Sequence, residues 1–120
     1  MEPAHKLLIV DDCQTTRLMV KEILGNSFEY LESDNGNGVI PMVIKEKPSL
    51  ILLDLSMPEK DGFEVLEELL EEHYHIPVII ISGDTTKSTH AACASLGVEA
   101  YLDKPLQPEL LRKMVNQHFS

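Results

Sequence analysis

A doubly wound α/β fold with a five-stranded parallel sheet and five helices is what this 120-residue sequence predicts. Three observations carry the prediction. The apolar runs Leu7 to Val10, Leu50 to Leu53 and Val78 to Ile81 are too short for helices and do not alternate, as expected of strands covered on both faces. Between them lie stretches with apolar residues at helical spacing and Glu and Lys on the intervening faces. Strand then helix repeats along the chain, and that order calls for parallel strands joined by right-handed crossovers.

The elements follow in order. After the strand Leu7 to Val10, the apolar positions Leu18, Val20 and Ile23-Leu24 mark a helix from about Thr15 to Leu24, closed by Gly25-Asn26. A weaker strand at about Tyr30 to Glu32 ends before Asn35-Gly36. A second helix, Gly38 to Lys45, contains Pro41 near its middle, and the proline is expected to kink or delay it. Pro48 precedes the third strand, Leu50 to Leu53. Phe63, Val65-Leu66 and Leu69-Leu70 then define a helix over Gly62 to His73. Pro77 introduces the fourth strand, Val78 to Ile81, and the next helix, Lys87 to Leu96, stops at Gly97. A weaker strand, Ala100 to Leu102, and a helix over Gln107 to His118 complete the series.

Composition narrows the function classes. A chain of this length buries roughly two thirds of its unfolded surface, so one domain over residues 1–120 needs no disulfide or metal staple. The hydrophobic fraction of 43% and charged fraction of 25% place it among globular proteins, not disordered ones. Its net charge of -10 argues against binding that neutralises nucleic-acid phosphates or anionic membrane surfaces. Cys13 and Cys93 are far apart and form no CxxC pair, which fits a reducing cytosol. Met1-Glu2-Pro3-Ala4-His5-Lys6 leads into too short an apolar stretch for a signal peptide, and no run approaches the roughly 20 apolar residues of a membrane span.

The chemistry stands at the strand ends. Open parallel sheets collect function at the carboxyl ends of their strands, next to the point where strand order reverses. The first strand here ends in Asp11-Asp12, the third in Asp54, the fourth in Ser82-Gly83-Asp84, and the fifth runs into Asp103-Lys104-Pro105. Singly, an aspartate at such a place is a helix cap or turn former, Lys104 a surface lysine and Ser82 a loop hydroxyl. Together they converge on one rim if their strands are neighbours. Clustered carboxylates repel, so such a site takes up a proton or a cation. Hard oxygen donors in small number suit Mg²⁺, and no EF-hand spacing supports Ca²⁺. With a metal on Asp12 and Asp54, one carboxylate oxygen stays free to attack a phosphoryl group, and Lys104 helps neutralise the charge that develops.

These residues resemble a known family. Asp11-Asp12, the segment Leu50-Ile-Leu-Leu-Asp54-Leu-Ser-Met57-Pro58 with Asp61-Gly62, then Ser82, Tyr101 and Lys104-Pro105, are similar to the pattern of bacterial two-component receiver domains, in particular the chemotaxis-type single-domain plan. The resemblance implies a flavodoxin-like sheet of order 2-1-3-4-5. It implies Asp54 as phosphoacceptor from a histidine kinase or histidine phosphotransfer protein. It implies Mg²⁺ bound by Asp12, Asp54 and the backbone carbonyl of Ser56, with Asp11 acting through water. Lys104 then contacts the phosphate, Ser82 is the switch hydroxyl, and Tyr101 is the aromatic that moves inward when Ser82 is drawn to the phosphate. Such a protein is a cytoplasmic signalling module and not an enzyme, beyond promoting its own phosphorylation and dephosphorylation. Its partners include a downstream target or output domain, and its fourth helix to fifth helix face serves partner contact or a homodimer. The sequence departs from the family pattern at Gly83, usually alanine, which is expected to loosen the following loop, and at Pro41. Ser56 and Asp84 hold the variable positions beside the path of the attacking water.

Other features have plain readings. Glu64, Glu67-Glu68 and Glu71-Glu72 form a solvated helix face, and His73 and His75 lack a third metal ligand nearby. Cys13 is expected to be buried or capped, its thiol pKa raised by the neighbouring aspartates. Cys93 lies among Ala91, Ala92 and Ala94, where core packing and a partner surface are both open. An aspartate-nucleophile phosphatase would want an Asp-x-Asp pair after the first strand, and a flavin carrier a Gly/Ser/Thr-rich loop there. A receiver-like module that binds partners without phosphorylation would be marked by loss of an acceptor-site residue, and none is lost.

Overall fold

The computed structural model describes residues 4–119, so Met1-Glu2-Pro3, weighed above against a signal peptide, lies outside the described residues. Ten elements alternate: β1 (His5–Val10), α1 (Gln14–Leu24), β2 (Phe28–Ser33), α2 (Val39–Glu46), β3 (Leu50–Leu53), α3 (Gly62–Glu71), β4 (Val78–Ser82), α4 (Lys87–Ser95), β5 (Ala100–Asp103) and α5 (Pro108–Phe119). The strands form one parallel sheet in the order β2-β1-β3-β4-β5.

The non-alternating apolar runs have a direct cause. Leu8, Val10, Ile51, Leu53, Val78 and Ile80 pack on one side against Val39 and Val43 of α2, Val65, Leu66 and Leu69 of α3, and Cys93 of α4. Leu7, Ile9, Leu50, Leu52, Ile79 and Ile81 pack on the other against Val20 of α1 and Leu111 and Val115 of α5. Successive strand residues face opposite sides, so a sheet covered twice needs apolar residues at every position.

Two local expectations are refined. Of the kink or delay expected at Pro41, α2 shows the delay, starting at Val39 instead of Gly38; the proline stands third in the helix, within the first turn, where a backbone N–H has no intrahelical acceptor to lose. A 3-10 turn over Gly36–Gly38 leads into the helix, so the proline sits at its start. The third helix ends at Glu71, short of His73, because His73 takes the left-handed region at φ 59°. Its N–H donates to Leu70 O at 3.1 Å and the Tyr74 N–H to Leu69 O at 2.9 Å, which closes the helix end.

Gly62 opens α3 where a side chain has no room. A Cβ there would lie 2.6 Å from the Asp54 carbonyl oxygen and 2.8 Å from Leu55 Cα. Asp61 caps the same helix in a reciprocal box with Glu64: its carboxylate accepts from the Glu64 N–H at 3.0 Å while its own N–H donates to Glu64 Oε1 at 3.4 Å. The helix start is thereby fixed against the end of β3.

Candidate functional site

Strand register assembles the site. Val10 pairs with Leu53, so Asp11 and Asp54 leave neighbouring strands side by side, with the Asp54 N–H donating to Val10 O at 2.9 Å. Ser82 pairs with Asp103, and the Lys104 N–H donates to Ser82 O at 2.8 Å. These residues share the rim where β1 has β2 on one side and β3 on the other, the reversal point of the sheet.

Asp11, Asp12 and Asp54 each offer an oxygen, all within 4.8 Å of one another. Asp11 and Asp54 are buried, whereas Asp12 is exposed. Lys104 Nζ lies 3.1 Å from Asp11 Oδ2 and 3.6 Å from Asp54 Oδ2. Burial pushes the Asp54 pKa up, and the charge of Asp11 adds to it. Lys104 and the Ser56 N–H, which donates to Asp54 Oδ1 at 3.2 Å, pull the other way without prevailing; Asp12 raises it further. For Lys104 burial acts to lower the pKa, but the carboxylates of Asp11 and Asp54 outweigh it and hold the ammonium form.

Three carboxylates against one ammonium leave the cluster short of positive charge, and the donors are all hard oxygens. Oxygens bound to one Mg²⁺ at about 2.1 Å can lie about 4.2 Å apart, so small side-chain adjustments bring this set onto one ion. The residues fit a hard divalent cation. His73 and His75 are not among them, and the Asp trio is the grouping of this kind found among the described residues. Asp12, Ser56, Pro58, Asp61 and Asp84 line an open crevice beside the cluster, by which a reacting group can reach it.

Supporting contacts come from Arg17, which sequence reading passed over, and from the backbone of Cys13. Arg17 donates from Nη1 to the Asp11 carbonyl at 2.5 Å and from Nε to Glu32 Oε1 at 3.0 Å, clamping the turn that carries the acids. The Cys13 N–H donates to Asp11 Oδ1 at 2.9 Å. Cys13 itself corrects an expectation: it is exposed at the N-cap of α1, and the side chain and backbone N–H of Thr16 lower its thiol pKa against the opposing charge of Asp11. Cys93 is buried in the core, and burial raises its pKa.

The switch positions are also connected. Buried Ser82 accepts from the Asp84 N–H at 3.1 Å, and Tyr101 O–H donates to the Asp84 carbonyl at 2.6 Å. The half-buried Tyr101 ring packs on the core cluster of α2, α3 and α4. Burial raises the phenol pKa and the nearby Ser82 hydroxyl opposes it. The Asp84 carboxylate accepts from the Thr86 N–H at 2.9 Å and the Thr89 hydroxyl at 2.7 Å, and these bonds hold its pKa low. The loop after Gly83 is thus tied down by its own side chains. A Cβ at Gly83 would meet nothing within 4 Å, so space for alanine is open there.

A family model, Response regulator receiver domain, matches residues 7–116. The chain belongs to the response regulator receiver family. Chemotaxis protein CheY of Bacillus subtilis is 31% identical to this receiver over 116 residues, covering 95% of this chain and 97% of its own. CheY of Listeria monocytogenes is 33% identical over 106 residues, covering 87% and 89%. Among solved structures, a DNA-binding response regulator of the LuxR family from Staphylococcus aureus superposes with a TM-score of 0.86 at 28% identity, covering 97% of this receiver and 99% of that chain. The expected sheet of order 2-1-3-4-5 and its five helices are therefore those of its relatives. Among the described residues, no helix of this receiver is long and apolar enough to cross a membrane.

Proposed function

We propose that this receiver accepts a phosphoryl group on Asp54 from a phosphohistidine of a histidine kinase or histidine phosphotransfer protein. The observation that carries the reading is a buried carboxylate with Lys104 Nζ 3.6 Å away, two further carboxylates beside it, and an open crevice alongside. An Asp54 oxygen attacks phosphorus as the P–N bond breaks. The electron pair of that bond returns to the imidazole nitrogen, which takes a proton from solvent, and an acyl phosphate remains on Asp54. Lys104 balances charge on the phosphoryl oxygens, and Ser82 donates a hydrogen bond to one of them. Asp12, Asp54 and the Ser56 carbonyl would hold Mg²⁺ directly, with Asp11 acting through water, and the bound ion would supply the positive charge the carboxylates lack.

Tyr101 transmits the change by its bond to the loop that follows Ser82, reaching the surface of α4, β5 and α5, where a downstream target, output domain or second copy docks. The receiver works in the cytoplasm as a signalling protein whose only chemistry is on itself. One experiment tests the assignment: incubate the protein with Mg²⁺ and acetyl phosphate and record its mass. A single added phosphoryl group, absent from Asp54→Asn, is expected; no adduct on the native protein, or one surviving the substitution, would sink it.

A further inference from the structure

Tyr101 has a neighbour that the proposed phosphotransfer does not use. The His90 ring of α4 stacks on the Tyr101 ring, centroids 3.7 Å apart and planes 30° apart. Its Nε2–H donates to Asp103 Oδ1 at 3.1 Å, so the imidazole is pinned to the last residue of β5 while it covers the phenol ring. Tyr101 lies between this cover and the core, with its hydroxyl on the Asp84 carbonyl. The stack restrains sideways motion and the bond to Asp103 restrains the stack. Each contact alone is weak. Joined end to end, they link α4, β5 and the β4–α4 loop through one ring.

We propose that His90 is a positioning residue for Tyr101, a latch that holds the phenol against the Ser82–Asp84 loop before any change occurs at Asp54. The inference rests on the reading of Tyr101 as the transmitting ring. It deepens that reading in one respect: part of the bias toward the ring-in arrangement is built into this chain by His90 and Asp103, so modification at Asp54 has less left to shift. Asp103 therefore anchors the latch, and the α4–β5 surface is presented in its ring-in form by the unmodified protein.

Nuclear Overhauser contacts in protein carrying protonated tyrosine on a deuterated background, with Ser and Asp protonated, read the ring position directly. In the native protein, Tyr101 ring protons should show contacts to the Ser82 β-protons and the Asp84 α-proton. In His90→Ala these are expected to weaken at least about twofold as the ring samples the outside. Asp103→Asn, which keeps the imidazole but loosens its anchor and serves if the alanine variant fails to fold, should weaken them in the same direction by less. Simple uncovering of a ring that stays in place leaves the contacts at native intensity, and that result in both variants would overturn the latch. Adding Mg²⁺ and acetyl phosphate to His90→Ala should restore the contacts. Their failure to return, with the latch effect present, counts against phosphorylation control and leaves the latch standing.

Discussion

Asp54 stands in unfavourable surroundings for a charge, and its stability effect follows from that. Burial and Asp11 raise its folded pKa above the unfolded value, so the carboxyl contributes stability while protonated and loses that contribution as pH rises through the folded pKa. Without metal, Asp54→Asn is therefore expected to be more stable than the native protein at neutral pH. The advantage should disappear on acidification below the ordinary carboxylate range; thermal melts across pH check both. Mg²⁺ should raise the melting temperature of the native protein and do so less for Asp12→Ala, because a ligand that binds the folded state stabilises it by mass action. Equal melting with and without Mg²⁺ in both proteins counts against a cation site. At this scale the sequence named the acids, the hydroxyl and the lysine because each follows a strand. Arg17 and His90 escaped because one sits a turn inside a helix and the other on a helix face, positions with no motif and meaning only in three dimensions.

Elements were legible where local chemistry decides them. Apolar runs and their spacing located every strand and helix, with ends within two residues of those observed. Pro41 acts as a delay because it falls in the first turn, and the helix starts one residue later than spacing implied. The end of α3 was missed because His73 adopts a backbone state that its side chain does not advertise. Glycine at that position removes the left-handed penalty, so His73→Gly should stabilise the fold by roughly 1 kcal/mol in urea unfolding. Gly62 is the opposite case. A methyl group there meets backbone atoms of Asp54 and Leu55, so Gly62→Ala should lose about 2 kcal/mol and lower the rate of phosphoryl uptake from acetyl phosphate by displacing the acceptor. Normal uptake with unchanged stability would show that the close approach is not required.

On the scale of the whole molecule, the sheet is a wall shared by two cores. Leu8 and Val10 face one cluster while Leu7 and Ile9 face the other, so neither side can come apart without exposing strands that support its opposite. Unfolding should then be a single transition. Val43→Ala on one side and Val115→Ala on the other should each cost about 2 kcal/mol, and their effects should add in the double variant. Probes on the two faces, Tyr74 beside the first cluster and Tyr30 beside the second, can be followed separately in a chain without tryptophan. Separated midpoints would mean two independently melting halves. The two-sided burial was readable from unbroken apolar runs, but strand order was not, since spacing alone does not say which strands adjoin.

The pairing of Val10 with Leu53 also makes the sheet a ruler for its chemistry. A slip of one residue between β1 and β3 would turn every side chain of the displaced strand to the other core. Both cores accept leucine, isoleucine and valine, so hydrophobicity alone resists such a slip poorly. The residues past the strand ends do not share that tolerance: Asp54 would turn away from Lys104, and a carboxylate would lose its counter-charge. The same charges that form the site thus act as an alignment mark, penalising misregistered pairings that the greasy interior would forgive.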